Sequence, residues 1–550
     1  MTIHECARSS LLSFAATVLC MASVSAQGQE RDADAATTQV LESAQALGGL
    51  GAIRAIERMR LYGYAQEADG FGSGNASGSP HAPQKYNAHN DLQRIWDFAN
   101  DRYLERQRGY FLFPFASSLV YRYALNVNAL DGDIAYTIGG GFNVTNPDQP
   151  RRTDNVRELQ MWSLGTNPVA AVRAALGDGS TLGNVHVEAE DTLLVDVALA
   201  SGEEFTIGFE WATDLPRFVR WSGPNHYLGE VRYTTWFTGY VPYDGIMLPL
   251  GIVTNWDWRD IDVYKIYGEG WIVNGEIPDL AAPESVRGTL MQPPERELQV
   301  EAIADGIWRI SNGTTVVEFA DHLLVFELGG FGYDDDTLPV IELARSLVPD
   351  KPLTHYIASH HHDDHSSGLR TAVAEGLTVI SHRANEGIYR EIASRPAPNF
   401  PDALHRNPQP FRFIGVADGH LRLQDSERTL DIYHVLGHNH MADAVFAHDP
   451  DARVMIEADI APAVEWQWWA DAYVQNLEHY GLDVETVSSN HFGVMTHQEM
   501  LDFLAPGRIR VQENCVEQAE AGIYRTGCPP FFPEGDLIEG MSEYFEPPFE

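Results

Sequence analysis

Four side chains able to ligate a metal ion fall within six consecutive residues, His360-His361-His362-Asp363-Asp364-His365. Written as His-x-His-x-Asp-His, the stretch offers imidazole nitrogens from His360, His362 and His365 and a carboxylate from Asp364. These donors suit zinc and related divalent ions in hydrolytic centres. The apolar run Leu353-Thr-His-Tyr-Ile-Ala358 precedes them and reads as a buried strand. A strand turns alternate residues to one face, so His360 and His362 can grip one ion together. Asp364 and His365, past the strand end, can turn toward a second. Ser366-Ser367-Gly368 then starts a helix over residues 369–375. The competing reading is a polar loop with clustered histidines, and the strand-then-helix setting argues against it.

The rest of the chain must position that stretch. Its 550 residues suffice for two or three domains, and 44% hydrophobic with 11% aromatic residues describes substantial cores. Lys+Arg 37 against Asp+Glu 78 gives a net charge of −41. Nucleic acid is thereby excluded as a partner, because binding a polyphosphate begins with a basic footprint, and anionic membrane surfaces are disfavoured for the same reason. A negative field of this size attracts divalent cations; a solvated acidic surface suited to salt is the plainer reading.

Arg8, the apolar run over residues 11–24 and the small residues Val24-Ser25-Ala26 have the pattern of a cleaved signal peptide over 1–26, which places the mature protein in the periplasm or outside the cell. No later stretch is long and apolar enough for a membrane span. Cleavage leaves Cys515 and Cys528, which in an oxidising compartment can close a loop in the tail 511–550 and stabilise it by roughly 3 kcal/mol. Two separate thiols are the alternative.

After a polar lead to about Thr37, expected to be disordered, residues 38–47 have helical spacing and stop at Gly48-Gly49. Strand signals dominate from about 93 to 274, with a helix near Pro168–Leu176, so 38–274 reads as a β-rich domain built on a large antiparallel sheet. Its start, Gly48-Gly49 followed by Leu61-Tyr-Gly-Tyr64, and the segment Tyr240-Val-Pro-Tyr-Asp-Gly-Ile-Met-Leu-Pro249 resemble the curled sheets of periplasmic lipoprotein-carrier proteins. Trp236, Trp256 and Trp258 either fill the core of that sheet, the favoured reading, or line a groove for an apolar ligand. Pro278, Pro283, Pro293 and Pro294 make 275–296 the best linker candidate.

From Leu298 strand pairs give way to alternating strands and helices. With its His-x-His-x-Asp-His stretch, the region 297–510 resembles the metallo-β-lactamase superfamily. That resemblance implies an α+β protein whose C-terminal part is an αββα sandwich with a one- or two-metal site at the sheet edge. It also implies further ligands in chain order. His440 or His438 comes next; His440 is favoured because Asp443 lies three residues on and a strand begins near Val445. Asp459, after the strand Arg453–Ala458, is the candidate bridge, although Ala458 stands where the family usually has Gly. His491 is the last, with Asn490 and Phe492 departing from the common Gly-His-Gly.

The implied arrangement places His360, His362 and His440 on one ion and Asp364, His365 and His491 on the other, with Asp459 between them. With no cysteine nearby, the set is similar to Asp-bridged hydrolases such as glyoxalase II. Two divalent ions are implied, zinc first, with manganese or iron(II) as alternatives. His355, His361, His382, His434 and His448 are left over, and alternation points His361 away from the ions.

Such a centre activates water against an ester, lactone, thioester or amide of the β-lactam kind, with Asp364 also able to take a proton. Alkyl sulfatases share the motif, but no further residue points to them. Trp466, Trp468, Trp469, Tyr473 and Phe492 either line the mouth of a small-molecule site or, for the tryptophans, pack an amphipathic helix on the first domain. The non-catalytic alternative is a metal and ligand carrier with the β-rich domain as receptor. Oligomeric state is not legible.

Overall fold

The computed structural model describes residues 32–68, 86–111, 124–139, 149–189, 191–257, 259, 261–288, 297–329, 334–417, 419–438, 441–461 and 471–506. The signal-peptide reading, Trp258, His440, Trp466, Trp468, Trp469, Cys515 and Cys528 lie outside the described residues. No described helix is long and apolar enough to cross a membrane.

The aromatic and β-branched segments of the N-terminal half pair into one 13-stranded antiparallel sheet. Six strands, from Arg58–Ala68 to Arg151–Thr153, run outward in chain order. Seven more, from Thr181–Ala189 to Ile261–Val273, return from the opposite edge, so the last strand pairs with the first (Met59 with Val273, Glu67 with Tyr264). The helices Val156–Gly165 and Pro168–Ala175 cover one face, and Pro168 sits at the first turn, where its missing N–H costs nothing. Asn167 caps that second helix by accepting from the amides of Val169 and Ala170.

The polar lead is ordered earlier than composition suggests: residues 32–46 are helical. Ala36, Val40, Ala44 and Leu47 recur at helical spacing and are buried against the sheet, which outweighs the polar residues on the other side. Residues 275–288 run along the sheet edge, where Ala282 and Val286 pack on Val127, Ala129 and Tyr136. Trp256 is a core residue and Trp236 packs edge-on against Phe218.

The C-terminal half is a sandwich of a seven-stranded and a six-stranded sheet. Its strands are short continuous apolar runs because both of their faces are covered. In Leu323–Phe326, Leu324 and Phe326 point to the inter-sheet core while Leu323 and Val325 point outward under helices Asp334–Leu347, Leu369–Ala374 and Glu386–Ser394. In Val454–Glu457 of the other sheet, Val454 and Ile456 face the same core and Met455 faces the layer formed by helix Ala472–Tyr480 and the helix over 497–506. The α+β class and the αββα layering expected from the sequence are both present.

The halves share a core. Tyr227, Leu228, Val231 and Trp256 of the N-terminal sheet pack with Leu369, Ala372, Val373 and Ile388 on the outer face of the sandwich.

Candidate metal centre

Strand Leu353–Ile357 lies in parallel between Leu323–Phe326 and Thr378–His382, and the histidine-rich stretch follows directly from its end. Burial of the strand on both sides fixes where that stretch begins. His360 follows in a bend and His362 in extended conformation, and a single turn over Asp363–Ser366 carries Asp364 and His365. Gly329 lets the neighbouring strand's exit run against this turn: a Cβ there would collide with the Asp364 carbonyl oxygen.

Two groups of ligand atoms converge. His360, His365 and Asp459 form one, and Asp364, His365 and His491 the other; within each, the ligand atoms lie within 4.8 Å of one another. Asp459 ties them together. Its Oδ1 is 2.7 Å from His491 Nε2, and its Oδ2 is 3.3 Å from His365 Nε2 and 3.7 Å from His360 Nε2. Asp364 Oδ2 is 3.3 Å from His365 Nε2. The His362 ring packs edge-on to that of His360, with centroids 4.4 Å apart. His360, His362 and His365 are buried, whereas the His491 and Asp364 side chains keep 30% and 27% of their exposure, so the centre opens on that side.

Charge follows from this crowding. Burial opposes a charged His365, but Asp364, Asp459 and Glu327 outweigh it and hold its pKa well above the usual imidazole range. Burial likewise opposes charge on His491, and Asp459 prevails and raises it. Burial would push Asp364 up, yet His365 holds it below the usual carboxylate range. His365 Nε2 is buried and faces the Asp364 and Asp459 carboxylates at 3.3 Å each. Histidine nitrogens and aspartate oxygens gathered this way are the donor set a zinc-like cation takes, so the residues present fit such an ion.

Several supporting residues escaped the sequence reading. Glu327, wholly buried, accepts from the Ser359 amide at 2.8 Å and lies 2.8 Å from His365 Nδ1, which leaves Nε2 facing the centre. Its φ of 66° and the φ of 59° at Asp459 are left-handed values that side chains other than glycine adopt at a cost. A lone acid directly after an apolar strand was the only available signal for Glu327. Glu457 fixes the Asp459 loop by accepting from the amides of Ile460 and Ala461, and burial pushes its carboxyl up to about 7. Arg309 reaches across from the other sheet to the carbonyls of Ser489 and Asn490, beside His491.

The candidates of the sequence reading separate accordingly. His360, Asp364, His365, Asp459 and His491 meet, and His362 adjoins them. His438 lies outside both groups: its Nε2 donates to the Asp459 carbonyl at 2.9 Å and its Nδ1 faces the Met441 amide, so it braces the Asp459 backbone. His361 points away and pairs with buried Asp443 at 2.9 Å. Phe492 packs on Phe503, with centroids 4.8 Å apart. Tyr473 is fully buried in the outer core, so it does not line a mouth.

No family model matches the chain, and no curated protein matches it. Among solved structures it is similar to the DIM-1 metallo-β-lactamase (14% identity, TM-score 0.29), covering 40% of this chain and 98% of that one. The metallo-β-lactamase from Pontibacter korlensis is similar at 14% identity and TM-score 0.29, covering 38% of this chain and 99% of that one. The stereoselective inverting sec-alkylsulfatase Pisa1 from Pseudomonas sp. is similar at 14% identity and TM-score 0.31. There the match covers 44% of this chain and 46% of the sulfatase, so the chain spans less than half of that enzyme's length. The likeness is one of fold, and the chemistry is read from the side chains of this chain.

Proposed function

We propose that the protein is an exported metal-dependent hydrolase of small acyl substrates: esters, thioesters, lactones or amides. The observation that carries the reading is the convergence of His360, His365 and Asp459 with Asp364 and His491 from three segments spread between positions 360 and 491 of the chain. His360, His362, Asp364, His365, Asp459 and His491, with His440, are the proposed ligands of two ions, zinc first, and Asp459 is the proposed bridge. Bound there, a divalent cation lowers the pKa of water and polarises the carbonyl under attack.

The chain's own groups do the rest. Glu327 and Ser359 fix the orientation of His365 and His360. In a one-metal form Asp364, partly open to solvent, would take the proton from the attacking water. The oxygen adds to the carbonyl carbon, the acyl bond to the leaving group breaks, and the proton passes to that group. No covalent bond to the enzyme is required.

Removal of metal by a chelator should abolish turnover of an ester, thioester, lactone and chromogenic lactam panel, and zinc should restore it. An alkyl sulfate belongs in the panel as the competing substrate class. Full activity in a His360→Ala, His362→Ala double variant would sink the proposal. Stoichiometric metal without turnover of any panel member would favour the carrier reading, with the β-rich domain as receptor.

A further inference from the structure

Among the described residues, the N-terminal sheet reaches the ligand-bearing stretch through one hairpin. Strands Pro216–Asn225 and Gly229–Tyr243 are joined by the turn His226-Tyr227-Leu228. Asn225 shapes this turn by accepting from the amides of Tyr227 and Leu228 at 3.0 and 2.8 Å. Gly229 follows with a φ of 79°, and a Cβ there would stand 2.7 Å from the Arg370 guanidinium carbon, so the hairpin seats closely on the sandwich. The turn therefore arrives with little freedom.

Two of its side chains, His226 and Tyr227, reach the ligand-bearing stretch, while the Leu228 carbonyl accepts from Arg395 at 3.3 Å. Tyr227, wholly buried, donates from its hydroxyl to the His361 carbonyl at 2.7 Å, between His360 and His362. Ser366 Oγ lies 2.9 Å from that hydroxyl and 2.8 Å from the His362 carbonyl, extending the bridge to both sides of Asp364 and His365. His226 Nε2 is 3.1 Å from Asp363 Oδ2. From the sandwich itself, Tyr389 donates to the His360 carbonyl at 2.7 Å. The backbone of His360, His361 and His362 is thus held by hydroxyls from both halves of the chain.

We propose that Tyr227 is a positioning residue of the metal centre, and that the N-terminal half completes that centre by clamping the backbone between His360 and His365 through the Tyr227 hydroxyl. This rests on the metal reading above. Supports of ligands one step removed from the ion change metal affinity by roughly 10- to 100-fold, and a backbone clamp should fall near the lower end.

The test uses full-length protein with cobalt(II) as a spectroscopic stand-in and a chelator competition for affinity. Tyr227→Phe should weaken cobalt binding on the order of 10-fold and shift its d–d bands, since the ligand geometry relaxes. Tyr240→Phe removes a part-buried hydroxyl at the other end of the same two strands, one that donates to the Pro216 carbonyl at 2.6 Å, and should leave both readouts unchanged. Unaltered affinity and spectrum in Tyr227→Phe, whatever its melting temperature, would overturn the clamp. Should that variant not fold, Ser366→Ala is expected to give the same shift, and its absence would overturn the clamp equally. Failure of the unmodified protein to bind cobalt would overturn the metal reading itself, and the clamp with it.

Discussion

Two buried polar clusters lie in the two halves of the molecule, and they are balanced in opposite ways. In the N-terminal sheet, Arg94 is 1% exposed, pairs with Glu105 at 2.5 Å and lies over the rings of Tyr264 and Trp162. His89 beside it pairs with Glu67 at 2.8 Å. Each basic group there has its own acid. In the sandwich, four imidazoles press against two aspartates, and histidine nitrogens face the same small space. A cluster that balances itself is structure. One that collects more donors than its partners can take is built for something added.

That contrast can be broken most forcefully at the ligands. The His360→Ala, His362→Ala double variant should lose metal, measured by elemental analysis, and more than about 1,000-fold in turnover, since a metal supplies several kcal/mol and each ~1.4 kcal/mol is tenfold. Arg94→Met should do the reverse. It strands Glu105 within the sheet and should lower stability in urea by about 3 kcal/mol while the metal content per folded chain stays unchanged.

Glu327→Gln comes next. It keeps the shape but weakens the hold on His365, and zinc affinity should fall by roughly 10- to 100-fold in chelator competition. The smallest effect is expected at the rim of the N-terminal sheet. Burial would raise the Asp131 carboxyl, but the Ala282 amide and Arg102 outweigh it and hold its pKa below the ordinary 3.8. A depressed folded value means that the stabilisation is complete above 3.8 and is lost as pH falls through the folded value. Asp131→Asn should therefore cost about 1–2 kcal/mol at pH 7 and flatten acid unfolding below pH 4, as followed by circular dichroism.

Much of the centre was legible because it is contiguous. The stretch His360–His365 declares itself by composition, and the apolar run before it places it at a strand end. Asp459 and His491 were reached through family resemblance, since each alone is an ordinary residue at the end of a strand. Glu327 was not legible: its role exists only because two parallel strands set it beside His365. Spacing favoured His440, which lies outside the described residues, over His438, whose Nε2 donates to the Asp459 carbonyl.

In the N-terminal half strand character was plain from aromatic and β-branched residues, but the pairing of the first strand with the last, Met59 with Val273, has no local signature. The early start of the helix over 32–46 was hidden by its polar outer side. Only the fold shows Ala36 to be its first core contact.

The hairpin that carries Tyr227 has a consequence for how the chain is made. Tyr227 precedes the carbonyl it holds by 134 residues, and translation at roughly 5–20 residues per second separates their emergence by on the order of ten seconds. For that interval Tyr227, Leu228 and Trp256 have no sandwich to cover them, so the nascent sheet presents an oily knob to its surroundings. The half that carries the Tyr227 hairpin is thus also the half whose apolar surface stays uncovered until the rest arrives.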